Sequence, residues 1–486
     1  MDIISICLPI IIPVIFGLLI PAFNFKKKLA REIYVMTVVL VTAVLAWINV
    51  LTADNTTITL WSFARPLIVA LRIDGVSKVF IALISSLWPF ATLFAFEYMR
   101  HEERVNSFFG FYTTTFGITM GIASSANLMT MYMFYELLTL VTIPLVMHEM
   151  NHKSIRAAIK YFTYSIGGAA FAFMGFIMIT KYCGRNDFVY GGIISHQVMS
   201  EKASYVYLAY ILMFFGFGVK AAVFPFHGWL PSAGVAPTPV TALLHAVAVV
   251  KSGAFAIIRI TYFIFGPDTI KGTYAVYIPL AFVIFTIVYG SSMAVKEQHL
   301  KRRFAYSTIS NLSYILFGVL MLSPEGLTAG LLHMVFHGVM KIAIFFCAGA
   351  IMHQTGYEYV YEINGFGKKM KKIFLVYSIA SLAVVGIPPL PGFYSKLYLA
   401  LAAVNNGDVL SYLGVAALLI SALLTAVYLM SIMVRVYFRP FESDKEVKDP
   451  NAYMIIPQFV FAAMILVFSV FGSTICSYMA EIVSRL

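Results

Sequence analysis

The sequence predicts an all-α polytopic membrane protein with about fourteen transmembrane helices. Three observations predict it. Of the 486 residues, 60% are hydrophobic and 12% charged, with a mean hydropathy of +0.86. Apolar runs of about 20 residues, enough for a helix to cross the hydrocarbon core, recur along the whole chain. Clusters of Lys and Arg separate these runs far more often than they interrupt them.

In chain order the expected spans cover 3–23, 33–51, 76–98, 107–124, 127–147, 155–180, 204–225, 239–265, 273–295, 304–323, 326–352, 373–400, 410–434 and 453–480. The first run has Asp2 where a signal peptide has its basic region, and its basic residues follow the apolar stretch, so a retained span is expected. No long linker or low-complexity segment divides the chain, and 442–451, ESDKEVKDPN, is the longest hydrophilic connection. A single membrane domain over 1–486 follows. Cys7, Cys183, Cys347 and Cys476 are isolated, which indicates neither a disulfide framework nor a thiolate metal site.

The net charge of +12 would suggest nucleic acid in a soluble chain; here the positions of the cations assign it to loops at one membrane face. With the N-terminus outside, 21 of the 34 Lys and Arg residues fall on the cytoplasmic side. These are the basic residues of 26–31, 100–104, 153–160, 296–303, 368–372 and 435–448. Seven fall outside, namely Arg65, Arg72, Lys181, Arg185, Lys202, Lys271 and Arg485. The bias predicts both termini outside.

Lys78, Lys220, Lys251, Arg259, Lys341 and Lys396 lie within spans or at their edges. A charged side chain at the membrane centre costs roughly 2.5–3.5 kcal/mol or more, so such residues mark ion pathways or buried pairs. Lys220 and Lys251 flank a stretch holding Pro225, Pro231, Pro237 and Pro239, which rules out one continuous helix. The seventh span is expected to break shortly after Lys220, and a new one to start near Pro239 and carry His245 and Lys251. A second break is expected at GIPPLPG (386–392), from Pro388, Pro389 and Pro391, with Gly392 supplying local flexibility before Lys396. Two interrupted segments in corresponding halves point to a transporter's binding region.

Glu136, in FYELLTLVTIPLV (134–146), is the carboxylate placed well inside a span, and Lys220 is its expected partner. The alternative is a static ion pair that fastens two helices. Glu149, beside His148 and His152, reads as interfacial. His245 and Lys251 are six positions apart, roughly 9 Å of helical rise, a gap a water partly bridges. His333, His337 and Lys341 recur at every fourth position and share one helix face. Three titratable groups in one stripe read as lining a hydrated path, and His and Lys are suited to proton relay.

Other chemistry is not indicated. The HxxxH of His333 and His337 lacks the Glu of a zincin, and no Walker motif, dinucleotide fingerprint or nucleophile constellation occurs. No catalytic residue, metal site or cofactor is expected in this chain.

The segment FPFHGWLPSAGVAPTPVTALLHAVAVVKSGAF (224–255), with RIDGVSKVF (72–80), YELLTL, KRRFAYSTISNLSY (301–314) and GIPPLPGFYSKLY (386–398), resembles the antiporter-like membrane subunits shared by respiratory complex I, Mrp-type cation/proton antiporters and group 4 membrane-bound, formate hydrogenlyase-like hydrogenases. The resemblance runs from about 72 to 435. It implies a fourteen-helix core with two inverted five-helix repeats: three N-terminal spans (1–106), a first repeat (107–265), a second (273–435) and a C-terminal span (453–486). It also implies a Glu136–Lys220 pair, a connecting Lys251 with His245 nearby, and Lys396 at an exit half-channel. Ala233-Gly234 stands where the pumping middle subunits carry Ala-His, while APTPVTALLHA is closer to the largest subunits. With one span beyond the repeats, a short-format member is expected.

The expected function is therefore translocation of H⁺, alone or coupled to Na⁺, within a multisubunit complex in a prokaryotic cytoplasmic membrane. The partners implied are other membrane subunits and a peripheral redox arm with Fe-S and NiFe subunits, as in a hydrogenase-like respiratory complex. An Mrp-type antiporter or complex I subunit is the alternative, and a non-conducting anchor for the redox arm is the alternative of another class.

Overall fold

The computed structural model describes residues 3–64, 66–443 and 445–486; Asp2 and Arg65, on which the reading of the N-terminus and of the outer loops draws, lie outside the described residues. The N-terminal part comprises α1 (Ile3–Phe23), α2 (Lys28–Thr52), a hairpin of β1 (Ile58–Ala64) and β2 (Leu67–Leu71), and α3 (Gly75–Tyr98). Next come α4 (Val105–Ala123), α5 (Leu128–Val146), α6 (His152–Cys183), α7 (His196–Gly218), the single turn α8 (Trp229–Ser232), α9 (Thr238–Ala246), α10 (Val249–Arg259) and the short α11 (Pro267–Ile270). The rest is α12 (Tyr274–Lys296), α13 (Leu300–Val319), α14 (Pro324–Thr355), α15 (Lys371–Val385), α16 (Pro391–Asn406), α17 (Val409–Phe438), α18 (Ala452–Val470) and α19 (Gly472–Ser484).

Every expected span coincides with a helix or a broken pair of helices. Ten helical stretches among the described residues, with α9 and α10 together (Thr238–Phe265) counted as one, are long and apolar enough to cross a membrane. The remaining expected spans fall on α4, α7, α13 and the α15–α16 pair, whose sequences carry threonines, charges or a break. Two features have no counterpart in the expectation. The antiparallel β1–β2 hairpin interrupts the loop before α3, and the last span is two helices that part at Phe471.

α14 is the central element. Ser323 caps it by accepting from the Gly326 amide at 3.0 Å, Pro324 occupies its first position, and Gly356, at φ +71°, ends it. Between these signals it runs 32 residues and is buried almost throughout, against α9, α13, α15, α16 and α18. Polar side chains on such a helix meet other helices, not lipid.

Both breaks exist, but the first falls earlier than expected. Regular helix stops at Gly218, before Lys220, because Pro225 offers no N–H and Ala222 turns into the left-handed region at φ +56°. The freed Val219 carbonyl accepts the Trp229 indole N–H at 2.7 Å. Burial with such a partner is what irregular backbone at membrane depth requires. A third break, unforeseen, separates α9 from α10: the amides of Val247 and Ala248 both reach the Leu243 carbonyl, at 3.1 and 2.8 Å, in a widened turn. The sequence HAVAVVK carries neither Gly nor Pro at that point.

Candidate ion pathway

Lys220 leaves the end of α7 fully buried. Its ammonium donates to the backbone carbonyl of Tyr135 on α5 and stands 3.4 Å from the centre of the Tyr135 ring, a cation–π seat. Tyr135 is fixed in turn by its hydroxyl, which donates to the Phe217 carbonyl at 3.0 Å. The expected contact with Glu136 is absent: among the described residues Glu136 forms no ion pair within 4.0 Å, and its Oε1 is buried without a hydrogen-bond partner. The reason is geometric. Glu136 follows Tyr135 by one position, about 100° around α5, on the side where Leu137 and Leu140 face outward. Lys220 therefore meets the backbone and ring of Tyr135, and the carboxylate acts on it only through space.

α10 comes directly against this turn. A Cβ on Gly253 would lie 2.6 Å from the Ala221 nitrogen and 3.0 Å from the Lys220 Cβ, so only glycine permits the approach. Two positions earlier on α10, Lys251 is fully buried. Its Nζ lies 2.7 Å from the Nδ1 of His337. His245, the partner expected from spacing along one continuous helix, is turned aside by the α9–α10 break. It stacks on Phe345 with ring centres 4.8 Å apart, and both its ring nitrogens lack a hydrogen-bond partner.

The α14 stripe places His333, His337 and Lys341 on one buried face, as the spacing predicts. The His333 and His337 rings stack at 5.7 Å, and the His333 Nδ1 lies 2.9 Å from the Ser395 hydroxyl. The next residue is Lys396, half-buried, which donates to the carbonyls of Val384 and Val385 at 2.8 Å each. These carbonyls are freed by the interruption between α15 and α16, at Pro388, Pro389 and Pro391. At Gly392 a Cβ would stand 1.9 Å from the Ala383 carbonyl oxygen, so the residue permits close approach of the two half-helices. Lys341 branches off the row and donates to Ser307, whose hydroxyl also meets Tyr428.

Lys251, His337, His333, Ser395 and Lys396 thus form one row, and Lys220 adjoins it through Gly253. Two bases at 2.7 Å hold one proton between them more readily than two, because two adjacent cations repel strongly in low dielectric. Such a geometry is suited to passing a proton across the pair. Sequence reasoning missed Tyr135, Ser307, Tyr314, Ser395, Ser421 and Tyr428. The Tyr314 ring stands 5.2 Å from that of His333 and 5.6 Å from the Lys396 ammonium, and its hydroxyl donates to Ser421 at 2.7 Å. The signal was present for two of them, since Ser307 and Tyr314 are seven positions apart in KRRFAYSTISNLSY and share a helix face.

One further buried cation has a partner that spacing along the chain does not reveal. Arg259, at the end of α10, donates to both carboxylate oxygens of Asp74, at 2.6 and 2.7 Å, and to Ser77 at 2.7 Å. Asp74 also caps α3, accepting from the Ser77 amide at 3.0 Å.

Residues 125–437 match the model of the family described as NADH:quinone oxidoreductase/Mrp antiporter, transmembrane. The chain belongs to this family. Among its curated relatives is Na(+)/H(+) antiporter subunit A1 of Staphylococcus aureus, 27% identical over 97% of this chain and 62% of that protein. The chain thus spans less than two thirds of the length of that relative. Two solved structures share the fold over 99% of this chain. One is a chain of the membrane-bound sulfane sulfur reductase, an archaeal respiratory membrane complex (TM-score 0.85, 23% identity, 98% of that chain). The other belongs to the Mrp complex from Dietzia sp. DQ12-45-1b (0.86, 20%, 52% of that chain). A chain of respiratory complex I from Thermus thermophilus with bound NADH matches over 98% of this chain and 99% of its own (0.81, 20%).

Proposed function

We propose that this family member is an ion-translocating, antiporter-like subunit of a multisubunit membrane complex, moving H⁺ alone or in exchange for Na⁺. The observation that carries the reading is the 2.7 Å contact between Lys251 and His337 in a buried row that ends at Lys396. A non-conducting anchor has no use for unneutralised lysines and histidines in a row, each costly at membrane depth. The repeats over 107–265 and 273–435 would each contribute a broken helix, α7 with its lysine and α15–α16 with its own. The basic loops on one face support a cytoplasmic-membrane location with both termini outside. Redox cofactors, Fe-S and NiFe among them, would sit in partner subunits of a respiratory, hydrogenase-like host complex.

The test is ion flux by the purified complex in sealed vesicles, with Lys220→Arg compared with the unchanged protein. A guanidinium does not release its proton, so H⁺ movement should fall at least about tenfold. Full flux in the arginine variant would remove Lys220 as a proton carrier. Dependence of H⁺ flux on added Na⁺ separates exchange from H⁺ movement alone.

A further inference from the structure

The break after α7 opens a cavity of about 470 Å³ at the basic membrane face, between the N-terminal turns of α6, the 228–235 segment and the ends of α12 and α13. Four cations line it: Lys153, Arg156, Lys160 and Arg302. Lys160 donates to Ser232 at 3.1 Å. Among the described residues the other three make no hydrogen bond or ion pair. The single carboxylate present, Glu297, is directed to backbone, accepting from the amides of Gln298 and His299 at 3.0 Å each. Lys153, Arg156 and Arg302 are exposed residues whose side chains line one open cavity without a protein partner, a set that suits an anion reaching them from the membrane face, and the first turn of α6 adds the positive end of a long helix.

A second cavity, of about 300 Å³ and wholly apolar, is bordered by the same two elements, with Phe224 from the break and Ala281, Phe282 and Phe285 of α12 lining it. From Glu297 back to Phe282, α12 rises about 22 Å. Half a bilayer, headgroups included, is about 20–22 Å, so with the basic cavity at the depth of headgroups this one sits near the bilayer centre, where acyl chains end. Phe285 is 50% exposed, open to a chain lying along the helix.

We propose that the seam between the break and α12 binds one anionic phospholipid, with its phosphate among Lys153, Arg156 and Arg302 and an acyl chain laid along α12 to Phe282. Basic pockets between transmembrane helices at such a face select anionic headgroups. Because the same seam holds the segment after Lys220, the lipid would clamp the broken helix.

The experiment uses the intact complex in nanodiscs of phosphatidylcholine doped with phosphatidylglycerol, stripped with detergent and weighed by native mass spectrometry. Phosphatidylglycerol should be retained over phosphatidylcholine. A Lys153→Gln, Arg156→Gln, Arg302→Gln variant should bind it about 100-fold more weakly, at about 1 kcal/mol per cation. The charge-keeping Lys153→Arg, Arg156→Lys, Arg302→Lys variant should retain it. If the triple glutamine variant does not assemble, Arg302→Gln alone carries the test, with about a fivefold loss. Equal retention with and without the three charges overturns the proposal. So does binding of inorganic phosphate that depends on the same cations and displaces the lipid, which would mark a soluble-anion site. Crosslinking of Lys153 to an acidic segment of another subunit would overturn it as well, by making the cavity a protein seat.

Discussion

Arg259 and Lys251 stand on the same helix, about two turns apart, and both are fully buried, yet their surroundings differ in kind. Arg259 is neutralised: it has a bidentate carboxylate, the Ser77 hydroxyl, and the rings of Phe255 and Phe263 at 4.9 and 4.6 Å, and its Nε alone is left without a hydrogen-bond partner. Lys251 has the His337 imidazole as its hydrogen-bond partner and further lysines and histidines beyond it. An arginine paired with a carboxylate fixes its charge in place, whereas a lysine against an imidazole leaves the proton free to change owner. Equal burial thus comes with a carboxylate partner at one end of α10 and an imidazole partner at the other, the second being the arrangement the proposed transport needs.

The largest expected effect lies at the structural end. Asp74→Asn leaves Arg259 buried with a neutral partner and should cost about 3–5 kcal/mol, the range for breaking a buried pair from one side. Thermal unfolding in detergent reads this as a lowered midpoint and a poor yield of assembled complex. Lys251→Met removes a buried amine that has no carboxylate partner, and the same assay should show little loss. If the two substitutions destabilise equally, the distinction between the two ends of α10 fails.

A smaller effect is expected at the second break. Gly392→Ala drives a methyl into the Ala383 carbonyl, and the half-helices must part at a cost of about 1–3 kcal/mol. Because Lys396 bridges that junction through Val384 and Val385, ion flux should fall with stability. A flexible-hinge role for the glycine would instead leave stability unchanged while flux falls.

The smallest effect is outside the spans. His148, in the turn after α5, packs edge-on against Phe108, and burial lowers its pKa from the usual 6.5. A group whose pKa is lower when folded takes up protons preferentially on unfolding. Its stabilising share is present above about pH 6.5 and is lost as the pH falls toward the folded value. His148→Gln should flatten that acid slope by under about 1 kcal/mol, measured by unfolding midpoints from pH 7.5 to 5. A slope unchanged by the substitution assigns it to other groups.

Helix class, span positions and the intramembrane cations were legible because apolar length and charge are local properties of a sequence. The α14 stripe was legible for the same reason, since one unbroken helix converts spacing into a face. What failed did so where local periodicity stops. Lys220 lies past the end of its helix, so its angular relation to Glu136 was not encoded in spacing. His245 and Lys251 are separated by a widened turn that has no Gly or Pro to announce it. The Arg259–Asp74 pair joins residues 185 positions apart, and serines such as Ser395 draw their role from a partner on another helix.

The central claim is that Lys251 and His337 relay protons. Its most direct test is proton flux through the purified complex in sealed vesicles carrying an internal pH-sensitive dye, comparing the unchanged chain with Lys251→Met. The relay requires flux to fall at least about tenfold, since an unprotonatable side chain breaks the row, while the unfolding midpoint of the complex stays within a few degrees. Undiminished proton flux in the methionine variant, in a complex of normal stability, would contradict it.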